Sequence, residues 1–428
     1  MEKNKGQHDP YAALRISNFR LFVGGRLCVT LALQMQAMLV GWQIYEITGD
    51  KLALGLIGMA EFIPNITVSL LGAGHMADVL NRKKIITSCM IFLVISAFFL
   101  FYFTLDLAPE NIHSKALPIY VVIFINGLIR GFIGPAMFAF MAQLIDKNLY
   151  SNAVSWNSTI WQAASVSGPA IGGLLLALGA DLVKNGSVAH ISVPSIAYFA
   201  EFFLLSTGLV LFLFLPGPDA PPREKNMSVF ASLAEGLSFV FKNQIILSAI
   251  SLDLFAVLFG GAVALLPAFA KEVLHIGPEK LGYLYAAMPV GSVVMGLFIS
   301  HNPIKKSAGK KLLFAVAGFG ICMISFALSQ NFWLSLFILV ISGACDGVSV
   351  VLRSTLIHTL TPENMKGRVA AVNNVFVGSS NELGAFESGV AARFLGTSPS
   401  VIFGGIMTLS VVCFTWLKAD KLKKLDLD

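Results

Sequence analysis

Charge is scarce in this 428-residue chain: 13% of positions are Asp, Glu, Lys or Arg, against 56% that are hydrophobic. Soluble domains carry about a quarter charged and about half apolar residues, so a water-soluble globule is excluded. Cysteine is equally sparse. Cys28, Cys89, Cys322, Cys345 and Cys413 lie within apolar runs and share no metal-ligand spacing. They read as small packing residues, with neither a disulfide framework nor a metal site. No phosphate-binding glycine loop, His-Glu-x-x-His helix or Gly-x-Ser-x-Gly elbow occurs. That argues against an ATP-driven machine and an intramembrane enzyme, and no cofactor is expected. The net charge of +6 could suggest nucleic acid. Yet the basic residues gather in short connections rather than along one face, so no such partner is expected.

What the chain has instead is apolar length. A bilayer-crossing helix needs ~20 apolar residues. Twelve stretches meet that length: 21–45, 52–77, 84–105, 117–144, 152–178, 193–215, 245–270, 281–300, 310–329, 332–360, 367–396 and 398–417. Met1 to Arg20 is polar and shows no cleavable leader, so the first stretch is expected to remain as a spanning helix. The connections alternate in charge. Of the 30 Lys and Arg residues, 21 fall on the side that carries the N-terminus, and only Lys51, Lys115, Lys184, Lys271 and Lys280 on the other. This bias places both termini in the cytoplasm.

The long connector from Pro216 to Gln244 opens on Pro216-Gly217-Pro218, then carries apolar residues at helical spacing from Val229 to Phe241. An amphipathic helix on the inner membrane surface is expected there. The chain thus divides into an N-terminal half (1–215), a linker (216–244) and a C-terminal half with a short basic tail (245–428). The expected fold class is an all-α membrane protein of twelve helices in two six-helix halves, with the lipid bilayer as its first partner and a monomer as its state.

Glu61, Arg130, Asp253, Asp346, Glu382 and Glu387 sit well inside apolar stretches. A charge at the centre of a spanning helix costs at least ~2.5–3.5 kcal/mol, so those that occur there face a cavity or a partner. They point to a pathway for a small molecule. Glu61, Asp253, Asp346 and Glu382 are the candidate proton carriers, with Asp346 first and Glu382 second. Glu387 can pair with Arg393 as a structural element. Phe62, Trp156, Trp161 and Phe255 are candidates to line a cavity for amphipathic, partly aromatic cargo, as are Phe259, Tyr283 and Tyr285. Their alternative is lipid contact or helix packing. An anionic cargo would be received by Arg130 and Arg26.

Shifting the chain by 216 residues aligns one half on the other. Gly127 falls on Gly343, Gly131 on Gly347, Leu144 on Leu360, Asn148 on Asn364, Asn157 on Asn373, Gly168 on Gly384 and Gly173 on Gly389. Parallel repeats of this kind build one class of secondary transporter, with the substrate site between the halves. The same shift puts Arg130 on Asp346. The two are therefore expected to face each other, either as a latch between halves or as a charge pair that opens when the acid takes a proton.

Several motifs then resemble the major facilitator superfamily. Gly74 to Lys83 is similar to its loop signature G-x-L-A-D-R-x-G-R-K, with Val79 and Asn81 departing from it. The resemblance implies that Gly74, Asp78 and Arg82 form a gating loop. Arg130 and Gly134 have the spacing of the helix-four motif R-x-x-Q-G, with Ile133 replacing Gln. Gly168-Pro169-Ala170-Ile171-Gly172-Gly173 resembles the end of the helix-five motif of exporters, although Ala164 and Ser155 occupy its upstream glycine positions. Leu14 to Phe22, Ser232 to Val240, Thr361 to Val369 and Asn381 to Gly389 resemble the bacterial branch that contains the enterobactin exporter. That resemblance implies proton-driven efflux of a siderophore or drug-like molecule across the inner membrane. An importer or symporter, or a receptor that transports nothing, is the alternative.

Overall fold

The computed structural model describes residues 9–70, 81–105, 115–186, 192–217, 229–304 and 306–426. Twelve long helices run through them: α1 (Ser17–Thr48), α2 (Lys51–Leu70), α3 (Arg82–Tyr102), α4 (Leu117–Gln143), α5 (Tyr150–Lys184), α6 (Ser195–Leu213), α7 (Gln244–Glu272), α8 (Pro278–His301), α9 (Ala308–Leu328), α10 (Phe332–Leu360), α11 (Lys366–Leu395) and α12 (Thr397–Lys418). No strand occurs among the described residues. Local chemistry sets several boundaries. The side chains of Asn81, Asn243 and Asn331 accept backbone N–H groups of the first turns of α3, α7 and α10, which satisfies donors a helix start leaves open. Gly49 ends α1 in the left-handed region, φ 60°, with its N–H on the Tyr45 carbonyl.

Two departures from the expected spans matter. Eleven helices are long and apolar enough to cross a membrane. The twelfth, α11, has the length but also Lys366, Arg368, Glu382, Glu387 and Arg393. Its place comes from packing, since it lies along α2 of the opposite half and against α7 of its own. The seventh span is also broken. Its helix stops at Gly260, passes through a 3-10 turn at Ala262–Leu265, and resumes at Leu266–Glu272 behind Pro267.

The repeat is visible in how its glycines pack. Gly127 and Gly131 of α4 lie against α2, at the Glu61 carbonyl and Val68. Gly343 and Gly347 of α10 lie against α8, at Met288 and Ser292. Gly168 of α5 abuts α1, while Gly384 of α11 abuts α7. The third pair joins the halves: Gly173 of α5 meets Gly282 of α8, and Gly389 of α11 meets Gly55 of α2. A side chain at any of these positions would separate two helices that touch through their backbones.

The two ends of the bundle are built differently. Away from the termini, one apolar cluster draws on both halves, with Met38, Trp42 and Leu176 packed in the same mass as Leu266, Phe269 and Leu284. At the end carrying the termini, separate clusters serve each half: Phe19, Phe22, Ile86, Phe140 and Phe212 in one, and Ala249, Leu312, Leu356 and Leu422 in another. The halves are therefore closed on each other at the far end and packed separately at the near end. A helix at Val229–Lys242 docks on the C-terminal half, with Val240 buried beside Ile246 and Val369. Most of the linker before it, residues 218–228, lies outside the described residues.

Candidate functional site

Between the halves lies a cavity of about 530 Å³, walled by α1, α2 and α4 on one side and α7 to α11 on the other. Six charged residues line it: Glu61, Arg130, Asp253, Asp346, Arg353 and Glu382. Arg130 forms an ion pair with Glu61, their side chains 32% and 16% exposed. Arg353 pairs with Asp253 in drier surroundings, at 6% and 8%. Asp346 and Glu382 make no hydrogen bond or ion pair with any described residue. Glu382 lies within electrostatic range of both Glu61 and Arg130. Gly260, Gly261, Val263 and Ala264 bring the break in α7 to the same wall. Irregular backbone at membrane depth is tolerated where it lines a cavity.

This arrangement corrects the expected pairing of Arg130 with Asp346. Both line the cavity, but Arg130 is taken by Glu61. The reason is local: α2 packs on α4 within one half, through Gly127 at the Glu61 carbonyl, while Asp346 belongs to the other half. Arg393 does not pair with Glu387 either. Six residues of helix put the two about 240° apart, and Arg393 instead reaches Asp50 of the opposite half at 3.5 Å.

Of the aromatic candidates, Tyr285 lines the cavity. Phe62 does not. Trp156 donates to the Pro10 carbonyl at 3.0 Å and rests on Tyr11. Trp161 of α5 is 51% exposed and does not line the cavity. Phe255 and Phe259 stack on each other, 6.4 Å apart, in a separate groove between α7 and α12. They lie two and six residues beyond Asp253, about 200° and 240° around the helix, and so point away from the cavity. Tyr283 donates to Glu279 one turn before it. Arg26 sets its guanidinium on the Met137 sulfur at 2.8 Å. In the gating loop, Gly74 and Asp78 lie outside the described residues. Arg82 opens α3 and donates to the Ala139 carbonyl of α4 at 3.3 Å.

Three groups escaped the sequence reading. Arg353 follows Asp346 by seven residues, two turns on one helix face, so its position on the cavity could have been anticipated. Gln36 and Asn126 line the cavity as polar residues in apolar helices. From them a hydrogen-bonded chain runs inward: Asn126 donates to Gln36 at 3.2 Å, and Gln36 donates to Glu201 at 2.8 Å. Glu201 of α6 is fully buried, and its other carboxyl oxygen has no partner. It meets the criterion that singled out Glu61, an acid inside an apolar run.

The far end holds polar contacts between halves above the shared apolar cluster. Lys51 bonds Glu272 at 3.0 Å, and Lys271 bonds Glu46 at 3.2 Å. Tyr45 donates to Glu272 at 2.5 Å, and the Lys271 ammonium sits 4.7 Å from the centre of the Trp42 ring. Together they tie the two halves to each other at this end.

A two-half bundle of this design has known relatives. The family model described as Major Facilitator Superfamily matches residues 22–385. The chain belongs to the major facilitator superfamily. It is 26% identical over 426 residues to the enterobactin exporter EntS of Shigella dysenteriae serotype 1, covering 95% of this chain and 92% of that protein. The enterobactin exporter EntS of Escherichia coli O1:K1 matches to the same extent. Among solved structures, the POT family transporter PepTSo superposes with a TM-score of 0.70 at 12% identity, covering 96% of this chain and 99% of that one. A bacterial homologue of the lysosomal transporter Spinster, in an inward-facing and unoccupied conformation, gives 0.69 at 14%, with 97% of each chain covered. The nucleoside transporter NupG gives 0.71 at 12%, covering 94% of this chain and 99% of its own. The protein is thus a multi-pass membrane transporter of this superfamily.

Proposed function

We propose that this protein is a proton-coupled exporter of a small amphipathic organic molecule across the cytoplasmic membrane of a bacterium. Both termini and the open end of the cavity face the cytoplasm. The observation that carries the reading is the cavity between the halves, where two unpaired carboxyls, Asp346 and Glu382, stand below a closed far-side gate. Cargo enters from the side where the halves separate. Rocking of the halves then breaks Lys51–Glu272 and Lys271–Glu46 and opens the far side. Both are partly exposed pairs worth about 0–1 kcal/mol each, weak enough to break in each cycle. Export is supported by the function of the EntS relatives. The Asp78 and Arg82 loop would hold the cytoplasmic side when that end closes.

The test uses purified protein in proteoliposomes with a pH-reporting dye inside. Enterobactin, ethidium and a neutral aromatic probe are each offered under an imposed pH gradient. Movement of at least one against proton counterflow is expected, and Asp346→Asn or Glu382→Gln should uncouple it. Flux that ignores the pH gradient for all three, or unchanged coupling in both variants, would reject the reading.

A further inference from the structure

We propose that the groove between α7 and α12 holds an anionic phospholipid from the leaflet at the end that carries the termini. Its phosphate sits beside Lys418, and one acyl chain lies along Phe255 and Phe259. The site is on the outer surface of the bundle and does not depend on what the cavity carries.

The first support is shape. The groove has a volume of about 490 Å³ and is lined by α7, α12 and Ala419 just beyond it. No other spanning helix contributes to its wall among the described residues, and Phe255 and Phe414 are 40% and 65% exposed there. From Gln244 to Phe259 it follows α7 for about 22 Å. Half of a bilayer with its headgroup layer is about 20–22 Å thick. The groove thus has the depth of one leaflet, which suits a lipid better than a short solute.

The second is the order of polarity. Gln244, Ser248 and Lys418 lie at the mouth, and Phe255 and Phe259 at the deep end, the same order as headgroup, ester and chain. The hydroxyls along the wall also differ. Those of Ser410 and Thr415 turn back onto the Ile406 and Val411 carbonyls of their own helix. Those of Ser248 and Ser251 make no hydrogen bond with any described residue, so both are free to donate to ester or phosphate oxygens.

The third is charge. No carboxylate lines the groove among the described residues. Lys418 makes no ion pair with a described residue, and Asp420, the acid beside it in the chain, is already held by Lys423 at 2.6 Å. Lys242, two residues before Gln244, also has no acid partner among the described residues. The positive end of the α7 dipole lies at the same mouth. An anionic headgroup complements these charges, whereas a zwitterionic one brings its own cation and gains less.

The position gives the lipid a role. Phe255 and Phe259 lie on the back of the α7 segment that carries Asp253 and stops at Gly260 on the cavity wall. An acyl chain packed there braces that half-helix against α12.

The experiment uses the purified full-length protein in mixed micelles with phosphatidylglycerol or phosphatidylcholine, each carrying a diazirine on the same acyl chain. Crosslinked residues are mapped by peptide mass spectrometry. Phosphatidylglycerol should label residues 252–259 and 410–415 about fivefold more than phosphatidylcholine, the effect of one lysine near a headgroup. Lys418→Gln should bring the two lipids level in the groove. Lys84→Gln, at an exposed lysine on the same end of the opposite half, should leave their ratio unchanged. Equal labelling of the groove by both lipids in the wild type would identify an ordinary boundary lipid and overturn the proposal. So would labelling spread evenly over the outer faces of the bundle, or an equal loss of preference in the Lys84 and Lys418 variants. The wild-type ratio decides the matter even if a variant fails to fold.

Discussion

The two arginine–carboxylate pairs of the cavity share chemistry but not surroundings. Arg353–Asp253 joins α10 to α7 with both side chains under a tenth exposed. Arg130–Glu61 joins α4 to α2 with about a third of the arginine in the open cavity, and Glu382 of the other half stands nearby. A pair sealed from water is costly to break and acts as a fixed strut. A more exposed pair beside a third carboxyl can change partners as the halves move. Helix positions follow the internal repeat, but the charges do not: the shift that matches the glycines sets an arginine on an aspartate. The two halves are thus copies as scaffolds and distinct as electrostatic surfaces.

The largest effect that would test this contrast is Arg353→Met, which strands Asp253 in a dry site. A loss of about 3–5 kcal/mol is expected, read as a collapse of the melting transition in detergent. Arg353→Met with Asp253→Leu should recover most of it. Equal tolerance of Arg353→Met and Arg130→Met would break the comparison.

Glu201 extends the contrast to a dry carboxyl with no cation. Glu201→Ala removes the acceptor for the Gln36 amide and should cost about 1–3 kcal/mol. Glu201→Gln keeps an acceptor in place and should melt close to wild type. A large loss in the Gln variant would mean that the negative charge itself stabilises α6.

Arg130→Gln should destabilise less than Arg353→Met, by about 1–2 kcal/mol, because the Arg130–Glu61 pair is the more exposed of the two. Its main effect should fall on transport. Melting curves and proteoliposome flux on one preparation separate the two, and a variant with normal coupled flux would remove Arg130 from the cycle.

The smallest effect on stability belongs to the far-side gate. Lys51→Ala should change the melting free energy by less than about 1 kcal/mol, since the pair is partly exposed. It should nonetheless shift the conformational balance. A cysteine placed at Ile57, beneath the gate, should become more reactive from the far side, and unchanged labelling would show that the apolar cluster alone holds the halves shut.

Much of this was legible in the residues. Apolar length marked the spans because lipid cannot satisfy an open backbone, and the repeated glycines marked close helix contacts because only they let backbones touch. Acids and bases inside apolar runs pointed to the cavity because a lone charge in lipid is too costly, and by that rule Glu201 was also within reach. The partners of those charges were not legible. The choice of Glu61 over Asp346 for Arg130 depends on helix rotation and on which helix lies alongside, and a linear repeat carries neither. The aromatic residues failed as cavity markers for a related reason: a ring suits lipid, packing and cargo alike, so only its direction separates them. By itself, then, the sequence determined a membrane-spanning bundle of two related halves with charges too costly to leave in lipid. Tertiary structure alone decided which charges neutralise each other, which remain free, where α7 breaks and which end is closed, because each depends on distances between helices far apart along the chain.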